Sequence, residues 1–167
     1  MCKGQETRGE RLLFKKFYPS MFKLCLRYMC DEYRAKEVVS NGFVKVFKNL
    51  ESFEFRDGNG LNAWIKKIMI NESLMYLRKY KKFERNVSLE EVDENSALPQ
   101  IDSIDAELIH QAIRSLPTGY RTVLNMYIIE GFSHKEIGAE LNISENASRS
   151  QLTHARQKLQ KILKGIL

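Results

Sequence analysis

A run of helix-ending and helix-starting signals near the end of the chain constrains the fold most. Gly131 can accept a positive φ and end one helix, and the tetrapeptide Ser133-His134-Lys135-Glu136 has the form of a capping box that starts another. Asn142 lies where the chain must then turn sharply, and asparagine tolerates the left-handed conformation better than most residues. Ser144 can cap a second, longer helix. This pattern predicts a helix-turn-helix.

The longer helix has a basic outer side in this prediction, with Leu152, Ala155, Leu159 and Ile162 as its buried stripe. In a helix-turn-helix the second helix enters the major groove with its N-terminal residues on base edges. Arg149 is the predicted reader of guanine, because its planar guanidinium matches O6 and N7. The exposed candidates on the first turn and a half are Asn146, Ala147, Arg149, Ser150, Thr153 and His154. A helical hairpin with a merely solvated basic side is the structural alternative.

The whole chain is predicted to be all-α, because the sequence has no β-strand pattern, that is, no run of alternating Val, Ile or Thr residues between turn signals. Pro19 either kinks the first helix or starts a second one, Asn62 is the expected N-cap of the third helix, and Pro117 fits a first turn. Small residues at Gly138 and Ala139 are expected to permit a close helix crossing. The predicted helices are 12–28, 34–50, 62–82, 103–115, 117–129, 133–141 and 144–163.

Charge is distributed unevenly along the 167 residues, whose formal net charge is +6. Residues 1–85 carry nine more bases than acids, and residues 108–167 carry four more. Residues 86–107 between them carry seven acids and no base, which predicts a linker. The chain is therefore expected to form two small helical domains, each near the lower size limit for one core. Their predicted bounds are 8–83 and 105–167, with an acidic linker at 84–104.

Several functional classes find no support in the residues. The three cysteines and three histidines form no repeated metal-ligand pattern, and an odd cysteine count suits a reduced cytosol. No apolar run of about 18 residues and no signal-peptide pattern is present. No catalytic triad, phosphate loop or metal set is visible. We therefore expect a cytoplasmic protein that is not an enzyme, with no cofactor, no metal, no small-molecule substrate and no membrane insertion.

The first block contains an aromatic, glycine-containing loop, residues 53–60, followed by a basic helix. Cations for phosphates and flat rings for unstacked bases are what a single-stranded nucleic-acid site requires. Phe53, Phe55 and Trp64 are nevertheless expected to serve mainly as core anchors. Asn71 is a stronger candidate for base binding, because its amide is a polar group inside an apolar stretch and can hydrogen-bond a base edge. The alternative is an amide with a purely structural role.

With these residues in view, the chain resembles the extracytoplasmic-function (ECF) sigma factors of bacterial RNA polymerase over nearly its whole length. The most specific motifs in the second block are Leu116-Pro117-x-x-Tyr120-Arg121-x-Val123-Leu124, Gly131 to Gly138, Ile143-Ser144-Glu145, Ser150-x-Leu152 and Ala155-Arg156. The first block matches at Tyr18-Pro19, Ala35 to Phe47, Trp64-Ile65-x-x-Ile68, Asn71 and Tyr76-Leu77-Arg78.

The resemblance implies three binding surfaces. The second helix would dock on the clamp of the largest polymerase subunit, with candidate contacts Glu37, Ser40, Asn41, Val44, Lys45 and Lys48. The loop and third helix would capture a flipped base of the minus-ten promoter element, with candidates Phe55, Arg56, Asn59, Lys66, Lys67, Asn71 and Arg78. The last helix would read the minus-thirty-five element, with candidates Asn146, Arg149, Ser150 and Thr153 and with His154 and Arg156 near phosphates. The acidic linker would thread the RNA-exit path of the polymerase.

The sequence departs from the family pattern at several of these places. Glu37, Ser40 and Asn41 replace the usual Asp-x-x-Gln-Glu of the docking helix, and Met75 stands where an Asp usually follows the helix Asn. Asn146-Ala147 replaces the usual Gly-Thr at the start of the recognition helix, and His154 replaces an Arg. These changes concern polymerase affinity and promoter sequence rather than the class of protein.

The resulting hypothesis is a non-catalytic initiation factor that binds core RNA polymerase and promoter DNA. A family-typical anti-sigma factor would clamp or wedge between the two domains, although no residue identifies one. The alternative is a sigma-like interaction decoy that sequesters a regulator without binding DNA, against which the basic helix-turn-helix argues. A stand-alone helix-turn-helix repressor would leave the first block without a purpose.

Overall fold

The computed structural model describes residues 8–54, 60–80 and 106–166. These residues form helices joined by short turns, and no strand occurs among them, which confirms the all-α prediction. By its internal contacts the chain divides into two compact units, Met1–Arg85 and Asn86–Leu167.

The first unit contains three helices that pack against one another: α1 (Arg8–Met29), α2 (Glu32–Asn49) and α3 (Gly60–Tyr80). Apolar residues at three- and four-residue steps face inward from each helix. Burial raises the pKa of the Cys25 thiol to about 12, so that the thiol stays protonated and packs as a small apolar group. The largest fully buried side chains of this unit are Met21, Leu24, Tyr28, Val38, Val39, Phe43, Ile65, Met69 and Leu74.

Two predictions about helix ends in this unit are settled by the structure. Helix α1 runs without a break through Pro19, so the option of a second helix starting there is wrong. Pro19 lies on the exposed side, and rings on the other side hold α1 to α2: the Phe14 ring lies 4.7 Å from that of Phe43. Asn62 is not an N-cap, because α3 begins two residues earlier, at Gly60.

Helix α2 has a cap that the sequence reading did not identify. The Oδ1 atom of Asp31 accepts a hydrogen bond from the backbone N–H of Arg34 at 2.7 Å. The residue before this cap, Cys30, has a φ of 58°, so the chain turns between α1 and α2 without a glycine. Helix α2 therefore begins at Glu32, two residues before the predicted start.

The second unit contains α4 (Ala106–Arg114), α5 (Thr118–Leu124), α6 (His134–Leu141) and α7 (Glu145–Ile166). The long helix α7 packs against the other three. Its buried stripe contains Leu152, Ala155 and Leu159 as predicted, but it ends with Leu163, because Ile162 is only half-buried. Residues 103–105 of the fourth predicted helix lie outside the described residues.

The predicted helix over 117–129 is wrong in part. Pro117 lies at the N-cap position, one residue before α5, and the helix then widens into a π-helical turn over Asn125–Ile129. In this turn the backbone N–H of Glu130 donates to the carbonyl of Asn125 at 3.0 Å, five residues earlier. Apolar periodicity does not distinguish such a turn from an ordinary α-helix.

Candidate nucleic-acid interfaces

The capping box that starts α6 is present in full, as predicted. The Ser133 Oγ accepts from the backbone N–H of Glu136 at 3.2 Å, and the Glu136 carboxylate accepts from the backbone N–H of Ser133 at 2.8 Å. This second bond and one from the Ser133 hydroxyl hold the pKa of Glu136 below its usual value. The helix thus starts at a position fixed by two reciprocal hydrogen bonds.

The turn between α6 and α7 has the predicted conformation. Asn142 adopts the left-handed conformation, with φ 55° and ψ 48°, and Gly131 before α6 has a φ of 78°. A Cβ atom on Gly138 would lie 2.8 Å from the backbone oxygen of Ile143, so only glycine lets the turn approach α6 this closely. Ala139 is exposed and takes no part in this approach, contrary to the prediction. The Ser144 Oγ accepts from the backbone N–H of Ala147 at 3.0 Å and caps α7 as predicted.

The six candidate reading residues of α7 are not equally available. Asn146, Arg149 and Ser150 are exposed, and the Arg149 guanidinium is paired with the Glu145 carboxylate one turn earlier. The Thr153 hydroxyl donates to the backbone oxygen of Arg149 at 3.2 Å. Thr153 is itself half-buried, as are His154 and Arg156. Ala147, which was also expected on the exposed side, is half-buried too.

The ring of His154 stacks on that of Tyr120 in α5, with ring centres 5.5 Å apart. This side chain is therefore held against the body of the unit rather than extended from it. The fully exposed candidates of α7 are consequently Asn146, Arg149 and Ser150, and the Thr153 hydroxyl is already bonded to the backbone.

The inner side of α7 holds a polar contact that the sequence reading missed. The buried His134, at the start of α6, lies with Nδ1 2.9 Å from the Oγ of Ser148, which is fully buried. The His134 ring also stacks on Tyr127 of the π-helical turn, with centres 4.3 Å apart. Burial lowers the pKa of His134, and the neighbouring Arg149 guanidinium lowers it further. A signal was present in the sequence, because Ser148 is a polar residue four positions before Leu152 on the buried stripe.

In the first unit, the outer side of α3 carries one stripe of exposed candidates. The candidates are Lys67, Asn71 and Arg78, and the exposed Met75 lies on the same stripe. The four residues are spaced at four, four and three positions. Lys66 is half-buried on a different side of the helix. The predictions for Phe55, Arg56 and Asn59 fall outside the described residues.

A groove of about 450 Å³ lies at the N-terminal half of α3, and its lining consists of Asn49, Ser52, Phe53, Glu54, Trp64 and Ile68. The rings of Phe53 and Trp64 lie 4.6 Å apart in its wall, and Asn71 lies about one helical turn beyond Ile68 in α3. Phe53 and Trp64 were expected to serve mainly as core anchors, but both are only half-buried, as is Ile68. Trp64 and Ile68 lie on the side of α3 that also bears the exposed Asn71. Apolar walls next to a polar amide can hold a flat ring that is stacked and hydrogen-bonded at its edge.

The polymerase-docking candidates form one stripe along the outer side of α2. The stripe consists of two neighbouring rows with four-residue steps, and all of its residues are exposed: Glu37, Asn41 and Lys45 in one row, and Ser40, Val44 and Lys48 in the other. Lys45 is held in place, because its Nζ lies 2.5 Å from the carboxylate of Glu72 in α3 and 3.9 Å from the sulfur of Met75. The stripe therefore presents an exposed valine, Val44, among polar groups, next to the exposed Met75.

Neither a metal-binding cluster nor a membrane-spanning helix occurs among residues 8–54, 60–80 and 106–166. No three His, Cys, Asp or Glu side chains there are close enough together to hold a metal ion. No helix there is both long enough and apolar enough to cross a membrane.

Comparisons with known proteins bear on both units. Residues 13–83 match the family model for sigma-70 region 2, and residues 106–159 match that for sigma-70 region 4. The RNA polymerase sigma-H factor of Pseudomonas aeruginosa is 25% identical over 97% of this chain and 90% of its own length. The ECF RNA polymerase sigma factor SigW of Bacillus subtilis is 25% identical over 87% of this chain and 84% of its own length.

A solved structure shares the fold. It is the sigma factor RpoE of Bartonella quintana, crystallised in complex with the anti-sigma factor NepR. The TM-score is 0.56 at 22% identity, over 95% of this chain and 98% of that one.

Proposed function

The chain belongs to the ECF sigma factors of RNA polymerase, and on that premise we propose that it binds core polymerase and directs promoter recognition, DNA melting and transcription initiation. It is not an enzyme in this proposal and needs no cofactor, because its role is to bind two promoter elements while the polymerase performs the chemistry. Its place of action is the cytoplasm, where promoter DNA and core polymerase meet.

The observation that carries the proposal is that one chain holds both a complete helix-turn-helix, in the second unit, and an aromatic groove one helical turn from an exposed amide, in the first unit. A regulator that binds only duplex DNA needs the helix-turn-helix alone. When polymerase fixes the separation of the two elements, binding of one unit raises the local concentration of the other at its own element. Two modest contacts then give a stable initiation complex.

The second unit reads the duplex minus-thirty-five element in this proposal. The exposed Asn146, Arg149 and Ser150 face the bases, and Arg149 reads guanine in the major groove. Thr153 offers its methyl group, since its hydroxyl is bonded to the backbone. Two further candidates, His154 and Arg156, lie toward the phosphates.

The first unit captures an unstacked base of the minus-ten element. The groove between Phe53, Trp64 and Ile68 receives the ring, and Asn71 binds its edge. Lys66, Lys67 and Arg78, with Phe55, Arg56 and Asn59 of the loop, contact the rest of the strand. Binding the extruded base repays the few kcal/mol that unstacking costs.

Core polymerase binds the outer stripe of α2. Val44 supplies an apolar contact at the centre, and Glu37, Ser40, Asn41 and Lys48 surround it with polar groups. Lys45 acts from its ion pair with Glu72, which keeps the stripe in a fixed relation to α3. Such a surface, with an apolar centre and a polar rim, suits a protein partner.

In-vitro transcription with purified core polymerase on a library of promoters tests the proposal as a whole. We expect transcripts from a subset of templates that share two elements at one spacing. The same reaction without this chain is the control and should give none from those templates. No transcription from any template, with core polymerase still bound, would favour a decoy that sequesters a regulator.

An inhibitor is a further partner to test. The solved relative was crystallised with an anti-sigma factor, and we infer that a protein of this class controls the present chain as well. Purification of the tagged chain from its own organism, without core polymerase bound, should recover such an inhibitor.

Asn71→Ala tests the minus-ten site. We expect loss of open-complex formation on duplex promoters, because the captured base loses its hydrogen bonds, while polymerase binding is retained. Permanganate reactivity of the melted thymines measures the effect. Asn62→Ala, an exposed amide at the start of the same helix, is the matched control and should melt promoters normally. Normal melting by the Asn71→Ala protein would contradict base capture.

A further inference from the structure

The interior of the helix-turn-helix contains a hydrogen bond where an apolar contact would suffice for packing. His134 is only 8% exposed and Ser148 is 0% exposed, and the Nδ1 and Oγ atoms lie 2.9 Å apart. Other buried side chains of α6 and α7, such as Ile137, Leu152 and Ala155, are apolar, and apolar contacts have no preferred direction. The His134–Ser148 bond is directional, so it restrains orientation as well as distance.

The ring of His134 makes a second contact, through its face. It stacks on Tyr127 with the ring planes 17° apart. Tyr127 belongs to the π-helical turn, whose end is fixed by a bond from the backbone N–H of Phe132 to the carbonyl of Met126 at 2.9 Å. The serine on α7 is therefore bound to a ring that two other segments of the unit immobilise.

The location of Ser148 links this contact to base reading. Ser148 immediately precedes Arg149 and Ser150, and successive residues of an α-helix differ by about 100° in direction. If the side chain of Ser148 is held toward α6, the directions in which the side chains of Arg149 and Ser150 leave the helix are set as well. A rotation of α7 about its axis would shift the backbone positions of Arg149 and Ser150, and the fork geometry of a bidentate arginine contact depends on such positions.

We propose that His134 is a positioning residue for promoter reading: its hydrogen bond to Ser148 fixes the rotation of α7 and so aims Arg149 and Ser150 at the bases. The inference rests on the proposed function, since it concerns how the minus-thirty-five element is discriminated. His134 acts through Ser148 and need not contact DNA itself.

The test compares His134→Phe, Ser148→Ala and the double variant in the full chain bound to core polymerase. The measured quantity is the ratio of affinities for a promoter with its minus-thirty-five element and for one with that element scrambled. We expect each single variant to lower this ratio about tenfold and to leave affinity for the scrambled promoter within about twofold. Ser148→Ala keeps the His134–Tyr127 stack, so it remains informative if the His134→Phe protein does not fold.

The double variant separates positioning from a purely structural role. With both polar partners removed, no buried group is left without a hydrogen bond, so the melting temperature should recover toward that of the wild type. If the bond positions α7, discrimination stays low in the double variant although stability has returned. If discrimination recovers together with stability, or if neither single variant lowers it, the inference is wrong.

A matched control and the wild type complete the design. Ser73→Ala removes another buried hydroxyl, which donates to the carbonyl of Met69 at 2.8 Å in the first unit, and it should leave the ratio unchanged. A ratio that falls equally in this control would overturn the inference. A wild-type ratio of one would instead refute the proposed reading of the minus-thirty-five element, which keeps the two failures distinguishable.

Discussion

At the scale of single residues, the ion pair with Glu145 orients the Arg149 guanidinium in the absence of DNA. Both side chains are largely exposed, and such a pair within one helix contributes only about 0.3–0.5 kcal/mol. DNA can therefore displace Glu145 at small cost. In the proposed complex the Glu145 carboxylate would lie near the DNA phosphates and would repel them.

Arg149→Ala should cost about 1–3 kcal/mol of binding free energy and relax specificity at one minus-thirty-five position. Glu145→Gln should instead strengthen binding to all sequences, because it removes a negative charge near the phosphates. Affinities of the polymerase-bound chain for a set of single-base promoter variants measure both effects. Lys164→Ala, an exposed base at the far end of α7, is the control. Equal weakening of Arg149→Ala on every sequence would make Arg149 a phosphate contact.

The buried His134 predicts how stability depends on pH. Its pKa is lower in the folded chain than the ordinary value of 6.5, so below pH 6.5 the unfolded chain binds more protons than the folded one. The contribution of His134 to the free energy of unfolding of the second unit is therefore fully present above pH 6.5. It is lost as the pH falls through 6.5 toward the pKa of the folded chain. The His134→Phe protein should lose this dependence.

Urea unfolding between pH 5 and pH 8 measures the effect. The single tryptophan, Trp64, lies in the first unit, so its fluorescence reports on that unit, whereas circular dichroism reports on both. We expect the acid-side loss in the dichroism signal to depend on His134. Identical pH profiles for wild type and His134→Phe would show that other groups cause it.

At the scale of elements, each helix boundary that matters for function depends on a local backbone requirement. The start of α6 requires the capping box, the turn after it requires the left-handed Asn142, and the approach of that turn requires Gly138. Helix α2 shows a looser requirement, since a Cβ on Gly42 would meet the end of the flexible Met69 side chain rather than backbone.

Gly138→Ala should therefore destabilise the second unit by about 1–3 kcal/mol, because the backbone of the turn must move away. Gly165→Ala, at an open position near the end of α7, is the control and should change stability little. The circular-dichroism transition in urea measures the loss, and the Trp64 fluorescence transition should not move. A Gly138→Ala protein as stable as the wild type would mean that the turn can shift without cost.

At the scale of the whole molecule, the division of charge separates the two DNA-binding units. Residues 1–85 and 108–167 are basic, and the acidic residues 86–107 between them are repelled by DNA. The two units are compact by themselves, and each contains its own set of buried apolar residues. The proposed activity thus depends on both units binding one promoter at the same time, as arranged by polymerase.

Changing the spacer between the promoter elements by about five base pairs should reduce transcription at least tenfold, because it turns one element half a helical turn away from the other. Run-off transcription with the complete initiation complex measures this effect. A one-base-pair change should be tolerated better. Equal transcription at all spacings would mean that one unit alone selects the promoter.

The sequence alone determined the all-α fold, the caps of α6 and α7, the helix-turn-helix and the two basic blocks. These features depend on residues within four positions of one another, whose preferences act locally. Only the tertiary structure decided which residues of each helix serve function. The His134–Ser148 and Lys45–Glu72 contacts join residues 14 and 27 positions apart. The contact of Trp64 with the Phe53 ring likewise lies beyond one helical turn, and apolar periodicity carries no information about such partners.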